Sequence, residues 1–456
     1  LGRVLKTAYE RLKQQNRREI IMPEQESCVS GSIKLGMPKI KKSAPISKYP
    51  LSSTQTGIFF LSQMNHSGLA LELCYQLILR GIPDDAALEK ALYALEERHP
   101  VLKTRFVLDE GKAWQYIVSN QKLNISYYNF LHLTSIERDS KLKQIIQTEL
   151  EQSFQIFDSP LVHYCLIRYA ADRTIILLKV HHLITDGFSF EILHRHFAEF
   201  YNQYHKGGTL ISSDESTYSD YVCWENELTD TKYYQESKSF WEKTVKPKCD
   251  PLELASDFPR PYPRQYTGSI FEQQLDQTSK KQLIHLGIQR SVSLATVLLT
   301  ALAIVLYKHS GQNDFYIGVV VNGRSNLPQL RNIVGVFSKI LPIRLTFDSN
   351  MKIGDLLQYV NMQLTESLDH QLYPTHEIIN MNSNQKSADF APLYRVLFNM
   401  QQTEKTEIDW DGLKEEQWSK LDANSSMYDL AVHVFDNNEC LKLKIEYCTC
   451  LLYTSP

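Results

Sequence analysis

Two adjacent histidines, followed by an aspartate and a glycine, form the cluster in this sequence that is best suited to chemistry: His181, His182, Asp186 and Gly187. A neutral imidazole, with a pKa of about 6.5, suits proton exchange with a reacting group near neutral pH. Asp186 is suited to orienting a ring or pairing with an arginine, and Gly187 allows close backbone approach. A bare pair of histidines is more typical of a turn whose polar groups satisfy one another, so the surrounding sequence must decide between the two interpretations.

The flanking residues predict a strand before the cluster and a helix after it. Residues 174–180 form an apolar run of strand length, and apolar residues then recur at helical spacing: Phe190, Leu193, Phe197 and Tyr201. The cluster therefore lies on a strand-to-helix turn, where a rigid scaffold leaves polar groups accessible. Because neighbouring strand side chains point to opposite faces, we expect one histidine to face the reaction, the other to face the core, and no shared metal.

The remaining periodicity indicates α/β layers in two similar lobes. Residues 84–98 and 293–309 are predicted helices, and residues 315–321 are a predicted strand. The sequence before the first of these elements has weak periodicity and is rich in Ser, Gly, Pro and Lys, which is typical of a linker. We place the folded body from about Ile46 onward, with residues 1–45 as a linker or a tail from an upstream domain.

The composition argues against several classes of protein. The 456 residues carry a net charge of -3 and are 43% hydrophobic, a globular balance without the basic excess of a nucleic-acid-binding protein. The longest apolar stretches fall short of the roughly 20 residues of a membrane span, and the chain does not begin with a signal-peptide pattern. We expect no nucleic-acid partner, no membrane span and a cytoplasmic location. The start at Leu1 and the abrupt end suggest a piece of a longer polypeptide.

Residues 181–187 form the string HHxxxDG. Further segments resemble, in the same order along the chain, the other motifs of one family. They are Pro50, Leu51, Ser52, Gln55, Phe59 and Leu61; Arg98, His99, Leu102, Thr104 and Phe106; Tyr218, Asp220, Tyr221 and Trp224; Gly323 and Arg324; Gly335, Phe337, Leu341, Pro342 and Arg344; and His370, Gln371, Tyr373 and Pro374. Thr54, Gly57, Pro100 and Lys103 depart from these motifs. From about residue 50 to 453 the chain resembles the condensation domains of non-ribosomal peptide synthetases, in the chloramphenicol acetyltransferase-like superfamily.

The resemblance implies an α/β fold, a V-shaped pseudo-dimer of two chloramphenicol acetyltransferase-like lobes, residues 46–225 and 226–456, with an active-site tunnel between them. It implies amide-bond formation, in which a carrier-bound amine attacks a carrier-bound acyl thioester in non-ribosomal peptide or hybrid polyketide/peptide biosynthesis. The expected partners are donor and acceptor carrier proteins, whose phosphopantetheine arms deliver both substrates, and neighbouring synthetase domains. No cofactor or metal is expected on the domain itself.

The resemblance also assigns roles to individual residues. His182 would position the amine and exchange its proton, and the Gly187 backbone N–H would help to stabilise the oxyanion. His181 and Asp186 would be structural, with Asp186 paired to an arginine of the other lobe. Arg324, which matches the family's Gly-Arg step, is the candidate for that arginine.

Ser338, Lys339 and Ile340 stand where the family usually has Val-Asn-Thr, in a segment that lines the tunnel floor. Ser338 and Lys339 are therefore candidate tunnel or substrate-lining residues. Two interpretations stay open: the added positive charge alters the choice of donor, or the replacement is a silent surface change.

Three related activities are disfavoured by their missing motifs. An epimerisation domain shares HHxxxDG, but an EGHGRE-like string is absent from the sequence; a heterocyclisation domain would carry DxxxxD in place of HHxxxDG; and a plant-type acyltransferase would carry DFGWG. Two alternatives stay open. A hydroxyl acceptor would give an ester, and a non-catalytic module would recruit carrier proteins or tailoring enzymes.

Overall fold

The computed structural model describes residues 39–42, 48–63, 71–209, 215–247, 249–262, 264–324, 327–348, 350–382, 393–402, 408–437 and 439–452. Most of the predicted tail, residues 1–45, lies outside these residues. The first half of the described chain contains β1 (Tyr49–Pro50), α1 (Ser53–Gln63), β2 (Glu72–Arg80), α2 (Asp85–Arg98), β3 (Thr104–Asp109), β4 (Lys112–Ile117), β5 (Ile125–Asn129), α3 (Ser135–Glu151), β6 (Val162–Ala170), β7 (Arg173–His181), α4 (Gly187–His205) and α5 (Tyr218–Glu227).

The second half continues the alternation of helices and strands. It contains α6 (Lys232–Val245), β8 (Gly268–Leu275), α7 (Gln277–Gln289), α8 (Leu294–Ser310), β9 (Asp314–Val321), β10 (Lys339–Thr346), α9 (Ile353–Asp369), α10 (Thr375–Met381), β11 (Val396–Gln402), β12 (Lys414–Leu421), β13 (Leu430–Asp436) and β14 (Leu441–Cys448). The predicted strand-to-helix turn is confirmed by β7 and α4, and the other predicted elements are confirmed by α2, α8 and β9.

A five-stranded sheet carries the HHxxxDG turn. Its order is β12–β2–β7–β6–β5, so β7 lies at its centre and is buried over residues 174–181. Apolar residues of α2 and α4 cover one face, and α3 covers the other. Burial on both faces explains why β7 is a continuous apolar run, without the polar alternation of a half-exposed strand.

A six-stranded sheet forms the second half, in the order β10–β9–β11–β13–β14–β8. Along β14, alternate residues such as Leu441 and Leu443 enter the core, whereas Lys442 and Lys444 face a cavity. This alternation follows from the two-residue period of a strand. The sheet therefore buries one face under helices and presents a polar face to the cavity.

The second half contributes a strand and a segment of apolar side chains to the first half. Strand β12, from the second half, pairs antiparallel with β2 in the first-half sheet. The segment 327–337 inserts apolar side chains into the first-half core, and Gly335 lies so close to the Tyr218 ring that a Cβ would sit 2.1 Å from its Cδ2. The α/β fold class is confirmed. The V shape and the division at residue 225 stay predictions.

Among the described residues, no single helix has the length and apolar composition of a membrane span. Helices α7 and α8 meet those two criteria only when taken together, and they are bent by 100° relative to each other.

Candidate active site

Hydrogen bonds at its start, middle and end hold the HHxxxDG turn in place. The His182 backbone N–H donates to the Leu71 carbonyl at 2.8 Å, and the Gln55 side-chain amide donates to the Leu183 carbonyl at 3.0 Å. Asp186 is the N-cap of α4, because its Oδ1 accepts from the Ser189 N–H at 2.9 Å. These hydrogen bonds fix the geometry of the turn. The sequence analysis identified Gln55 only as a motif residue, and the structure shows that it holds the turn.

The structure separates the two histidines as the strand geometry predicts. His181 is buried beneath the turn, where its Nδ1 accepts from the Leu183 N–H at 3.0 Å, and burial lowers its pKa to about 3. His182 lines the cavity, and its Nδ1 lies 2.7 Å from the Thr185 carbonyl oxygen. Since a carbonyl can only accept, Nδ1 carries the proton and the neutral ring offers the lone pair of Nε2.

Burial also lowers the pKa of His182, and the charge of Lys420 adds to that effect. The hydrogen bond to Thr185 and the charge of Asp186 act in the opposite direction without cancelling it. His182 is therefore neutral at neutral pH, which is the form that can accept a proton.

Asp186 and Arg324, which are 138 residues apart in sequence, form a buried ion pair. Arg324 donates from its two terminal nitrogens at 2.8 and 3.2 Å, and the Phe337 and Ser338 N–H groups donate to the same carboxylate at 2.9 and 3.1 Å. Burial alone would raise the pKa of Asp186, but Arg324 and these hydrogen bonds outweigh it, and the pKa is lowered. The carboxylate stays ionised and fully bonded, which keeps the buried charge tolerable.

A cavity of about 3200 Å³ lies between the two sheets and is lined by both halves of the chain. His182 and Gly187 face it from the first half, and Ser338 and Lys339 face it from the second. A Cβ on Gly187 would lie 3.7 Å from the Gln401 side-chain nitrogen, so the backbone there is open to a ligand. All the sequence-predicted site residues thus border this cavity or lie directly behind its wall.

The position of Lys339 decides whether residues 338–340 lie at the surface. It is only 3% exposed, its Nζ donates to Glu225 Oε1 at 2.9 Å, and Ser53 Oγ lies 3.3 Å away. Burial raises the pKa of Glu225, but Lys339 and the Ser53 donors outweigh it, so the pKa is lowered. The replacement is therefore not a surface change, because the lysine is buried and ion-paired. Its effect on the choice of donor stays a prediction.

Sequence reasoning missed the polar residues that the second half contributes to the cavity wall. Asn399, His433, Lys444 and Glu446 lie on β11, β13 and β14, and Lys420 comes from β12. The alternating pattern LKLKIEYC of β14 predicts a strand with one polar face. It does not reveal that this face lines the same cavity as His182.

One group of possible metal ligands lies away from the cavity. Atoms of Glu149, His163 and Cys165 come within 4.8 Å of one another. His163 Nδ1 lies 3.0 Å from the Glu149 carboxylate, and the Cys165 thiol donates to its other oxygen at 3.3 Å. These hydrogen bonds account for the arrangement without an ion.

Comparison with known proteins identifies the family. The condensation-domain family model matches residues 46–453. Tyrocidine synthase 3 of Brevibacillus parabrevis is 27% identical over 401 residues, which are 88% of this chain and 6% of that protein. Surfactin synthase subunit 2 of Bacillus subtilis (strain 168) is 25% identical over 432 residues, 95% of this chain and 12% of that protein. The chain thus spans only a small part of the curated relatives that it matches.

Solved structures share the fold. The X-domain in complex with OxyB from teicoplanin biosynthesis has a TM-score of 0.83 at 19% identity, covering 92% of both chains. A starter condensation domain of rhizomide synthetase, in complex with C8-CoA and Leu-SNAC, has a TM-score of 0.73 at 19% identity, covering 90% of both. With the family match over most of its length, this chain belongs to the condensation-domain family of non-ribosomal peptide synthetases.

Proposed function

We propose that this chain is a catalytic condensation domain that forms an amide bond. The amine of an acceptor carried on one pantetheine arm attacks the carbonyl carbon of an acyl thioester on another. The C–N bond forms, the C–S bond breaks, and the amine proton ends on the released thiol. The products are an amide on the acceptor carrier and a free thiol on the donor carrier.

The observation that carries the proposal is the state of His182 at the cavity wall. The hydrogen bond from Nδ1 to the Thr185 carbonyl fixes the tautomer and the ring orientation. The free Nε2 can then hold the attacking amine and accept its proton as the tetrahedral intermediate forms. Such a positioned base is worth about a hundred-fold to ten-thousand-fold in rate.

Gly187 supports the same chemistry from the backbone. It is the first residue of α4, and the N–H groups of a first helical turn have no partner within the helix. Gly187 and the positive end of the helix border the cavity beside His182, where an oxyanion would be favoured. Gly187 thus supplies the proposed oxyanion donor, and His182 supplies the base.

The ion pair of Asp186 and Arg324 has a structural role in this proposal. It lies directly behind the turn and fixes Asp186 as the cap of α4. His181 packs beneath the turn and remains uncharged. The carrier proteins deliver both substrates on their phosphopantetheine arms, and the domain itself binds no cofactor in the proposed reaction.

Intact mass spectrometry of carrier proteins tests the proposal. An acyl-loaded donor carrier and an aminoacyl-loaded acceptor carrier are mixed with wild type, with His182→Ala, or with His132→Ala, which changes an exposed histidine outside the cavity. We expect transfer of the acyl mass to the acceptor with wild type and His132→Ala. We expect a loss of at least about a hundred-fold with folded His182→Ala.

Other outcomes would select the alternatives. Equal transfer by His182→Ala would contradict the role of the histidine. Transfer only to a hydroxyacyl acceptor would indicate an ester-forming domain. Carrier binding without any transfer would indicate a recruitment module.

A further inference from the structure

Strand β11 presents two side-chain amides to the cavity, those of Asn399 and Gln401. The residues between and before them point the other way, because Phe398 is buried in the second-half core and Met400 packs against that core. This alternation follows from the two-residue period of a strand. Asn399 and Gln401 therefore share one face of the sheet and border the same cavity as His182.

The two amides differ in what lies beside them on the neighbouring strand. The parallel pairing of β11 with β13 places Asn399 next to His433 and Gln401 next to Phe435. The Asn399 side-chain nitrogen lies 3.2 Å from His433 Nδ1, so Asn399 has a hydrogen-bond partner. The Phe435 side chain carries no nitrogen or oxygen. Among the described residues, the Gln401 carboxamide forms no hydrogen bond and is free to bind a ligand.

Gln401 lies directly beside Gly187, the proposed oxyanion donor. A Cβ on Gly187 would lie 3.7 Å from Gln401 Nε2. Apart from the chain neighbours of Gly187, no other heavy atom of the described residues comes within 4 Å of that position. Since a C–C bond adds about 1.5 Å, Gln401 Nε2 is no more than about 5 Å from the Gly187 Cα. The missing side chain therefore leaves a gap between the backbone of Gly187 and an amide nitrogen without a partner.

This gap is of the size that a single oxygen atom bridges. An oxygen that accepts from two nitrogens at about 2.9 Å each joins donors that are up to about 6 Å apart. Side-chain amides act beside backbone N–H groups as donors to the oxyanion of acyl transfer, where the charge develops only in the transition state. A neutral amide is also suited to this role because it carries no charge of its own that must lose water.

We propose that Gln401 is a further catalytic residue, whose side-chain N–H donates to the oxyanion together with the backbone N–H of Gly187. This inference rests on the proposed function for the reaction in which the oxyanion forms. It assigns the two donors to different halves of the chain, with Gly187 at the start of α4 and Gln401 near the end of β11.

Steady-state acyl transfer between loaded carriers tests the role in catalysis. Gln401→Leu removes the amide, and Gln401→Glu keeps the shape but replaces the N–H donor with a carboxylate. Gln144→Leu is the matched control, because it changes an exposed glutamine of α3 outside the cavity. Thermal unfolding checks that each variant is folded, which the exposure of Gln401 favours.

A donor that acts only in the transition state lowers kcat without changing KM. We expect kcat to fall at least about tenfold in Gln401→Leu and further in Gln401→Glu, with KM within about threefold of wild type. Gln144→Leu should match wild type. A smaller fall in kcat, or a loss confined to KM, would overturn the role of Gln401.

Binding of an oxyanion analogue tests the same contact without turnover. In a phosphonothioate of N-acetylcysteamine, an anionic tetrahedral phosphorus replaces the carbonyl carbon of the acyl thioester. By calorimetry, we expect wild type and Gln144→Leu to bind this compound at least about tenfold more tightly than Gln401→Leu does. All three should bind the parent thioester within about threefold of one another. Equal binding of the phosphonothioate by Gln401→Leu, or no binding by wild type, would overturn the contact.

The two measurements separate this inference from the proposed function. Binding of the phosphonothioate that depends on Gln401, without any acyl transfer by wild type, would support the contact and contradict catalysis. Acyl transfer that Gln401→Leu retains in full would support catalysis and contradict the role of Gln401.

Discussion

Two buried ion pairs join distant parts of the chain, and in each the carboxylate comes from the first half and the cation from the second. Asp186 binds Arg324 at 2.8 Å, and Glu225 binds Lys339 at 2.9 Å. Both carboxylates also accept backbone hydrogen bonds, and in both the pKa is lowered despite burial. As ion pairs, they are close equivalents.

The two ion pairs differ in the other parts of the chain that each carboxylate binds. Asp186 belongs to the turn that carries His182 and caps the helix that begins at Gly187. Glu225 instead accepts from the Ser53 N–H and hydroxyl at the start of α1, at 2.7 and 2.8 Å. The first pair therefore fixes the proposed catalytic turn, whereas the second ties α1 to β10. Breaking the first should impair chemistry and stability together, and breaking the second should impair stability alone.

The largest effect is expected from Asp186→Asn. Asparagine still caps a helix, but Arg324 becomes a buried charge without its counterion. We expect the free energy of unfolding to fall by about 3–5 kcal/mol and single-turnover acyl transfer to fall at least about a hundred-fold per folded molecule. Denaturant unfolding and intact mass spectrometry measure the two losses. Unchanged transfer by the folded fraction would remove Asp186 from any role at the turn.

Lys339→Met should give a similar loss of stability without the loss of chemistry. Glu225 would be left as a buried carboxylate without its cation, and unfolding should become easier by about 3–5 kcal/mol. The double variant Lys339→Met/Glu225→Gln removes both charges and should recover most of this loss. Transfer per folded molecule should stay within about threefold of wild type, whereas a hundred-fold loss would show that both pairs serve the reaction.

Stability should fall between pH 7 and pH 5 because of buried histidines, and not because of either ion pair. The pKa of His181 is about 3 in the fold and 6.5 when exposed, so the unfolded chain gains its proton first as the pH falls. That difference removes about 2 kcal/mol over this range. The carboxylates have lowered pKa values, so their contribution is present above about pH 4 and is lost only below it. His181→Asn should flatten the pH dependence measured by denaturant unfolding; an unchanged slope would contradict the assignment.

The smallest change in the free energy of unfolding is expected when an exposed ion pair is broken. Lys232 and Glu236 lie one helical turn apart on α6, with an 89% exposed lysine side chain. Lys232→Met should change the free energy of unfolding by less than about 0.5 kcal/mol, because solvent screens this pair. A loss comparable to that of Lys339→Met would show that burial does not distinguish these pairs.

The sequence predicted the local parts of the site better than the distant ones. The strand, the turn and the helix around His182 follow from an apolar run and a helical period, and the family motifs suggested Arg324 as the partner of Asp186. Glu225 is 114 residues from Lys339. Nothing in the local pattern marks the two as partners, so the burial of Lys339 was not foreseen.

The cavity wall was missed for a related reason. The polar residues of β14 alternate as they would on any half-exposed strand, and Lys420 is one of two lysines in the polar strand β12. Only the pairing of β12 with β2 places Lys420 in the same cavity as His182. Such placement depends on tertiary contacts across the two halves, which periodicity cannot supply.

The central claim is that Asp186 acts on the reaction through the turn that holds His182. Single-turnover transfer rates per folded molecule of wild type, His182→Ala, Asp186→Asn and the double variant test it most directly. We predict that the double variant matches His182→Ala within about threefold, because Asp186 then has no histidine to position. Losses that multiply in the double variant would contradict the claim and show that the two residues contribute independently.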